Sequence, residues 1–162
     1  MIHRKEWGAK PLTKYDYKIA PSYRTGIAIH HSVTAEGRSR SEVESILRQI
    51  DDYQRSKGYG GIGYNIAVDY AGRIYAARGM NRMGVHVVDN NSRKYGVVYI
   101  GDGTKRITND AVRGIRQVVN RLQQNSGKKL RVYGHRDLWA TACPGDKIYK
   151  LIKDGKFNVP HK

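Results

Sequence analysis

Cys143 is the only cysteine in the 162-residue chain, and it follows His135 by eight residues in the stretch Gly134-His135-Arg136-Asp137-Leu138-Trp139-Ala140-Thr141-Ala142-Cys143-Pro144-Gly145. A solitary cysteine has no internal disulfide partner, so its uses are packing, reactivity or metal binding. Thiolate and imidazole are preferred zinc ligands, and a catalytic zinc takes three protein ligands while leaving a position open. A short loop between His135 and Cys143 can fold back and bring both side chains to one ion. The third ligand must come from far away, and the adjacent pair His30-His31 is the candidate. Alternation along a strand sends the two imidazoles to opposite faces, so one of them at most faces a given ion. Spacing alone does not choose between them. Nor does it exclude a plain packing role for Cys143, since free cysteines are commonly buried.

The elements that would position these residues can be read from the pattern. Arg24 to His31 is a short apolar run rich in β-branched residues, suited to a buried strand that delivers the histidine pair. Ser39 with Glu42 has capping-box spacing, and Val43, Ile46, Leu47, Ile50 and Tyr53 then recur at helical intervals until Gly58. Glu44, Arg48, Asp51, Asp52 and Arg55 form the polar face of that helix. Tyr59-Gly60-Gly61-Ile62-Gly63 is a glycine-rich loop without the lysine-serine ending of a phosphate loop. Tyr64–Asp69 and Arg73–Ala77 read as a hairpin turning at Tyr70-Ala71-Gly72, and Val97–Ile100 as another buried strand. A second helix is expected from Asn109 as cap, with Val112, Ile115, Val118, Val119 and Leu122 on one face and Asn125-Ser126-Gly127 as the stop. Leu130–Tyr133 is a last strand, and Lys147–Ile152 a short terminal helix. The alternation predicts an α/β fold with a single mixed central sheet flanked by helices, one domain spanning residues 1–162.

Five pieces of this chain occur in a characteristic order: Glu6-Trp7-Gly8-Ala9, Ile29-His30-His31-Ser32, Gly63-Tyr64-Asn65, Asn91-Ser92-Arg93-Lys94-Tyr95-Gly96, and Gly134-His135-Arg136-Asp137 through Cys143-Pro144-Gly145. Together they resemble the zinc-dependent N-acetylmuramoyl-L-alanine amidases related to phage lysozyme-type amidases and peptidoglycan recognition proteins. The resemblance implies one zinc ion on His30, His135 and Cys143, with a fourth position for an activated water. It implies cleavage of the amide joining N-acetylmuramic acid to L-alanine, with Tyr64 and Thr141 stabilising the oxyanion. Some relatives place lysine where Thr141 stands, and a neutral hydroxyl gives a weaker hydrogen bond to an oxyanion than a full charge does. Tyr64 is therefore expected to carry more of the work. His86 resembles a histidine lining the substrate groove, and Asn91 and Arg93 are expected to touch glycan or peptide. Trp139 is either an aromatic wall for substrate or a cap on the core. Asp137 suits a positioning role in its loop, and His31 that of a hydrogen-bonded, partly buried histidine.

Composition narrows the partners. Thirty Lys and Arg against fourteen Asp and Glu give a formal charge of +16, which attracts polyanions. The cations are dispersed in short runs such as Arg93-Lys94, Lys105-Arg106 and Lys128-Lys129, so anionic cell-wall polymers or lipopolysaccharide fit as well as nucleic acid. No zinc-finger spacing, stacking-aromatic motif or basic recognition helix supports a specific nucleic-acid partner. Met1–Trp7 lacks the apolar core of a signal peptide, and no segment reaches the roughly 20 apolar residues of a membrane span. The expectation is a monomeric endolysin that stays in the host cytoplasm until lysis and then acts on bacterial peptidoglycan. Two other classes compete: a wall-binding module without catalysis, and a nucleic-acid- or polymerase-binding regulator.

Overall fold

The computed structural model of the protein describes residues 1–161; Lys162, the last residue of the expected domain, lies outside them. Five strands, β1 (Gly26–His31), β2 (Ile66–Val68), β3 (Ile74–Ala76), β4 (Lys94–Tyr99) and β5 (Arg131–Gly134), form one mixed sheet in the order β3-β2-β4-β1-β5. Strand β1 runs parallel to both β4 and β5, β2 runs parallel to β4, and β2 and β3 are the expected antiparallel hairpin. Helices α1 (Arg40–Ser56), α2 (Asn109–Ser126) and α3 (Asp146–Lys153), with short 3₁₀ turns at Arg4–Trp7, Pro21–Tyr23 and His135–Asp137, complete the regular structure of the described residues. No helix among the described residues is long and apolar enough to cross a membrane.

Side-chain alternation divides the core in two. Ile27 and Ile29 of β1 join Val97 and Tyr99 of β4 with Ile115, Val118 and Leu122 of α2 and Ile148 and Ile152 of α3 on one face. On the other face Val43, Leu47 and Ile50 of α1 cover Ala67 and Val98, with Trp7 and Tyr75 sealing the edge. The Trp7 indole N–H donates to the Ala76 carbonyl at 2.6 Å, which explains the tryptophan in the amino-terminal motif. Alternation turns Ala28 and His30 to the α1 side of the sheet. A cleft opens there.

Several elements differ in detail from the sequence reading. Thr108, not Asn109, caps α2: its side chain accepts the Ala111 amide, and Asn109 is the first helical residue. β4 begins at Lys94, three residues before the apolar run at Val97, because Gly26 of β1 pairs with Lys94 and extends the ladder. Asp51 is not part of a solvated face. It is 2% exposed; its carboxylate accepts the Ile62 amide at 2.7 Å and the Arg55 guanidinium at 2.6 Å. With Gln54, which accepts the Gly63 amide at 2.7 Å, it fastens the glycine-rich loop to α1.

Candidate metal centre

The histidine pair closes β1 at its carboxyl end, and His135 directly follows the carboxyl end of the adjacent parallel strand β5. Two loops therefore leave the sheet side by side, the usual place for a ligand site in parallel sheets. His30 Nδ1 lies 3.7 Å from Cys143 Sγ, and the His30 and His135 ring centroids are 4.5 Å apart. One ligand atom from each of His30, His135 and Cys143 falls within 4.8 Å of the others. His31 points to the opposite face, where its Nδ1 accepts the Gly103 amide at 2.9 Å. Of the pair, it is His30 that lies beside His135 and Cys143.

The donor set fits zinc. A tetrahedral ion at ordinary bond lengths holds a nitrogen and a sulfur ligand about 3.6 Å apart, close to the 3.7 Å between His30 and Cys143. Burial pushes the Cys143 thiol up to about 11, so without a cation it stays protonated. The His31 amide donates to the sulfur at 3.4 Å, a contact suited to a thiolate. Burial, reinforced by His86 and His135, pulls His30 well below the usual imidazole range, and burial lowers His135 as well. Both rings are neutral at pH 7, as ligation requires.

The three ligand candidates line an open cleft of 560 Å³ together with Tyr64, His86, Asn91, Trp139 and Thr141. The Tyr64 ring centroid sits 5.1 Å from that of His30, and burial raises its phenol so that it keeps its proton. Gly63 precedes it because a Cβ there would meet the Val85 carbonyl oxygen at 2.1 Å. Asn65 follows it, donating to the Gly79 and Arg82 carbonyls and accepting the Gly96 amide at 2.7 Å. Thr141 Oγ1 accepts the Cys143 amide at 3.2 Å, leaving its proton free to donate elsewhere. Trp139 is 50% exposed on the rim, which favours a wall over a core cap. Asp137 holds its loop, accepting the Gly134 amide and the Tyr149 hydroxyl.

Two expected substrate contacts fall differently. Arg93 does not line the cleft; its guanidinium stacks 3.8 Å from the Tyr23 ring centroid. The next residue, Lys94, takes the strand position, and Arg93 is left outside the sheet. Asn91 lines the cleft but spends its side-chain carbonyl on the His86 and Val87 amides, at 2.7 and 2.9 Å. Two residues that sequence reasoning passed over matter more. Arg24 is fully buried and donates to the carbonyls of Asn91, Ser92, Lys94, Met80 and Arg82. Arg78, 1% exposed, ties the carbonyls of Ile62 and Met83 to those of Lys14 and Tyr15. Desolvation lowers both guanidinium groups to about 10, still charged at neutral pH.

Residues 21–146 match the family described as N-acetylmuramoyl-L-alanine amidase, and the chain belongs to that family. Its relatives include peptidoglycan-recognition protein SC1a of Drosophila melanogaster, 30% identical over 94% of this chain and 84% of that protein. The human N-acetylmuramoyl-L-alanine amidase is 31% identical over 94% of this chain, which spans only 28% of that larger protein. Among solved structures, bumblebee PGRP-SA superposes with a TM-score of 0.88 at 30% identity, covering 99% of this chain and 98% of that one. A complex of tracheal cytotoxin with the ectodomains of peptidoglycan recognition proteins LCa and LCx gives a TM-score of 0.88 at 27% identity, covering 94% and 95%.

Proposed function

We propose that this protein hydrolyses the amide between N-acetylmuramic acid and L-alanine in bacterial peptidoglycan, with zinc held by His30, His135 and Cys143. The observation that carries this reading is the convergence of two imidazoles and one thiol within 4.8 Å at the floor of a cleft that also holds Tyr64 and Thr141. Bound zinc would supply Lewis acidity, polarising the scissile carbonyl and acidifying water. The rest falls to the chain's own groups. The Tyr64 hydroxyl, kept protonated by burial, donates a hydrogen bond to the oxygen that gains charge. Thr141, anchored by the Cys143 amide, offers a second donor in the same cleft. The exposed Trp139 on the rim gives a sugar ring or stem peptide an apolar surface to lie against.

A binding-only module needs no thiol ligand, whereas this chain retains Cys143 beside both histidines. We propose further that the activity serves as a phage endolysin, held in the host cytoplasm until the membrane opens. The net charge of +16 supports adhesion of a monomer to anionic wall polymers or lipopolysaccharide.

Mass analysis of purified peptidoglycan after incubation tests the reaction. Free stem peptides beginning with L-alanine, absent when a chelator is added, are the expected products. Released disaccharides, or binding without any release, would overturn it. Expression in a bacterial host tests the endolysin role: lysis should follow only when the inner membrane is permeabilised.

A further inference from the structure

His86 contributes no ligand atom to the metal centre, yet both of its ring nitrogens are committed. Nε2 lies 3.0 Å from the Lys94 carbonyl oxygen, and Nδ1 lies 2.9 Å from His30 Nε2. A carbonyl oxygen can only accept, so Nε2 must carry a proton. Arg24 donates to the same carbonyl at 3.3 Å, and the His30 ring meets that of His86 edge-on with centroids 5.0 Å apart. A neutral imidazole has one ring proton, and in the tautomer this carbonyl selects Nδ1 is a lone pair. That lone pair takes the proton of His30 Nε2. In a neutral His30 the remaining lone pair is then on Nδ1, the atom that faces Cys143 Sγ at 3.7 Å.

We infer that His86 is a positioning residue: its Nδ1 fixes His30 in the Nε2–H tautomer and so presents Nδ1 to the metal. This rests on the reading of His30 as a zinc ligand. Ligating histidines ordinarily need such a partner for the second nitrogen, and loss of the partner weakens metal binding. Here the partner is an imidazole, itself oriented by a backbone carbonyl rather than by a carboxylate.

The seat of the ring is built from the surrounding sequence. A Cβ on Gly96 would lie 2.6 Å from His86 Cγ, and one on Gly84 would lie 2.4 Å from His86 Cδ2. Glycine at both positions lets the ring lie flat against β4. The Asn91 side chain holds the His86 amide, and Arg24 fixes the carbonyls of Asn91, Ser92 and Lys94 that frame the turn. The motif running from Asn91 to Gly96 thus serves the metal centre through His86.

Two variants separate positioning from substrate contact. His86→Leu removes the acceptor, whereas His86→Asn keeps an acceptor oxygen near the Nδ1 position. Zinc affinity, measured by competition with a chromophoric chelator, should fall about 10- to 100-fold in His86→Leu and be restored at least in part in His86→Asn. In the zinc-free protein, ¹⁵N NMR of the His30 ring should report the Nε2–H tautomer in the wild type and in His86→Asn. Should His86→Leu fail to fold, the wild-type spectrum and His86→Asn still decide the matter. A His30 ring found mainly as the Nδ1–H tautomer would overturn the inference. So would unchanged zinc affinity in both variants with the loss confined to KM, which would make His86 a substrate contact. Neither affinity nor tautomer requires turnover, so a failure of the amidase reading would be seen separately.

Discussion

Cys143 Sγ and His30 Nδ1 stand 3.7 Å apart although 113 positions separate them in the chain. The sulfur also receives the His31 amide, so the end of β1 offers it both a ligand neighbour and a hydrogen bond. Cys143→Ser replaces a soft thiolate by a hydroxyl that does not ionise at neutral pH. Zinc content after dialysis against a weak chelator should fall to a small fraction of wild type, and amide hydrolysis with it. Circular dichroism should be unchanged, because the side chain lies in a loop outside both apolar clusters. Normal cleavage by this variant would return the cysteine to packing.

Tyr64→Phe keeps the ring and removes the donor. Turnover on peptidoglycan should drop roughly tenfold or more, since one lost oxyanion donor costs 10²–10³ in well-studied hydrolases. Zinc should remain bound. Thr141→Val should have a smaller effect, because a neutral, exposed hydroxyl on a loop is held less firmly than a phenol packed beside His30. Equal losses in the two variants would contradict this ranking.

Much of the centre could be read from residue types. The apolar run ending in His30-His31 did become a buried strand, the Ser39–Glu42 box does cap α1, and the Tyr70-Ala71-Gly72 turn does join β2 to β3. The choice of His30 over His31 needed the strand's facing, which spacing does not contain. Arg24, Arg78 and Asp51 were illegible for one reason: charged residues are expected at the surface, and only the folded loops reveal the backbone groups that require them inside. The place of Arg93 outside the cleft was illegible for a related reason. This residue adjoins a strand whose start was set by pairing with Gly26, not by its own hydrophobicity.

Arg24 should therefore matter more for stability than any exposed cation. It gives hydrogen bonds to five carbonyls and lies 4.6 Å from the Tyr95 ring centroid. Arg24→Met leaves those carbonyls without that donor, at a cost on the order of 3 kcal/mol. Arg24→Lys should recover little, because one ammonium cannot span acceptors that a planar fork reaches. Denaturant unfolding gives the measurement, and a loss under about 0.5 kcal/mol would remove the residue from the framework.

The net charge of +16 leads to a prediction of a different kind, one that concerns encounter with the wall rather than chemistry. The cations are spread over the surface, and many of the acidic groups are already paired, as in Lys10–Asp52, Arg40–Glu44 and Lys150–Asp154. What remains is a diffuse excess that acts at long range and is screened within about 8 Å at physiological salt. Raising sodium chloride from low to about 0.5 M should reduce lysis of permeabilised cells severalfold through weaker adhesion. Hydrolysis of a small, uncharged muramoyl-peptide analogue should change far less, because its encounter with the cleft does not depend on that field. If both substrates lose activity in parallel, salt is acting on the cleft itself and charge-driven adhesion is not the cause.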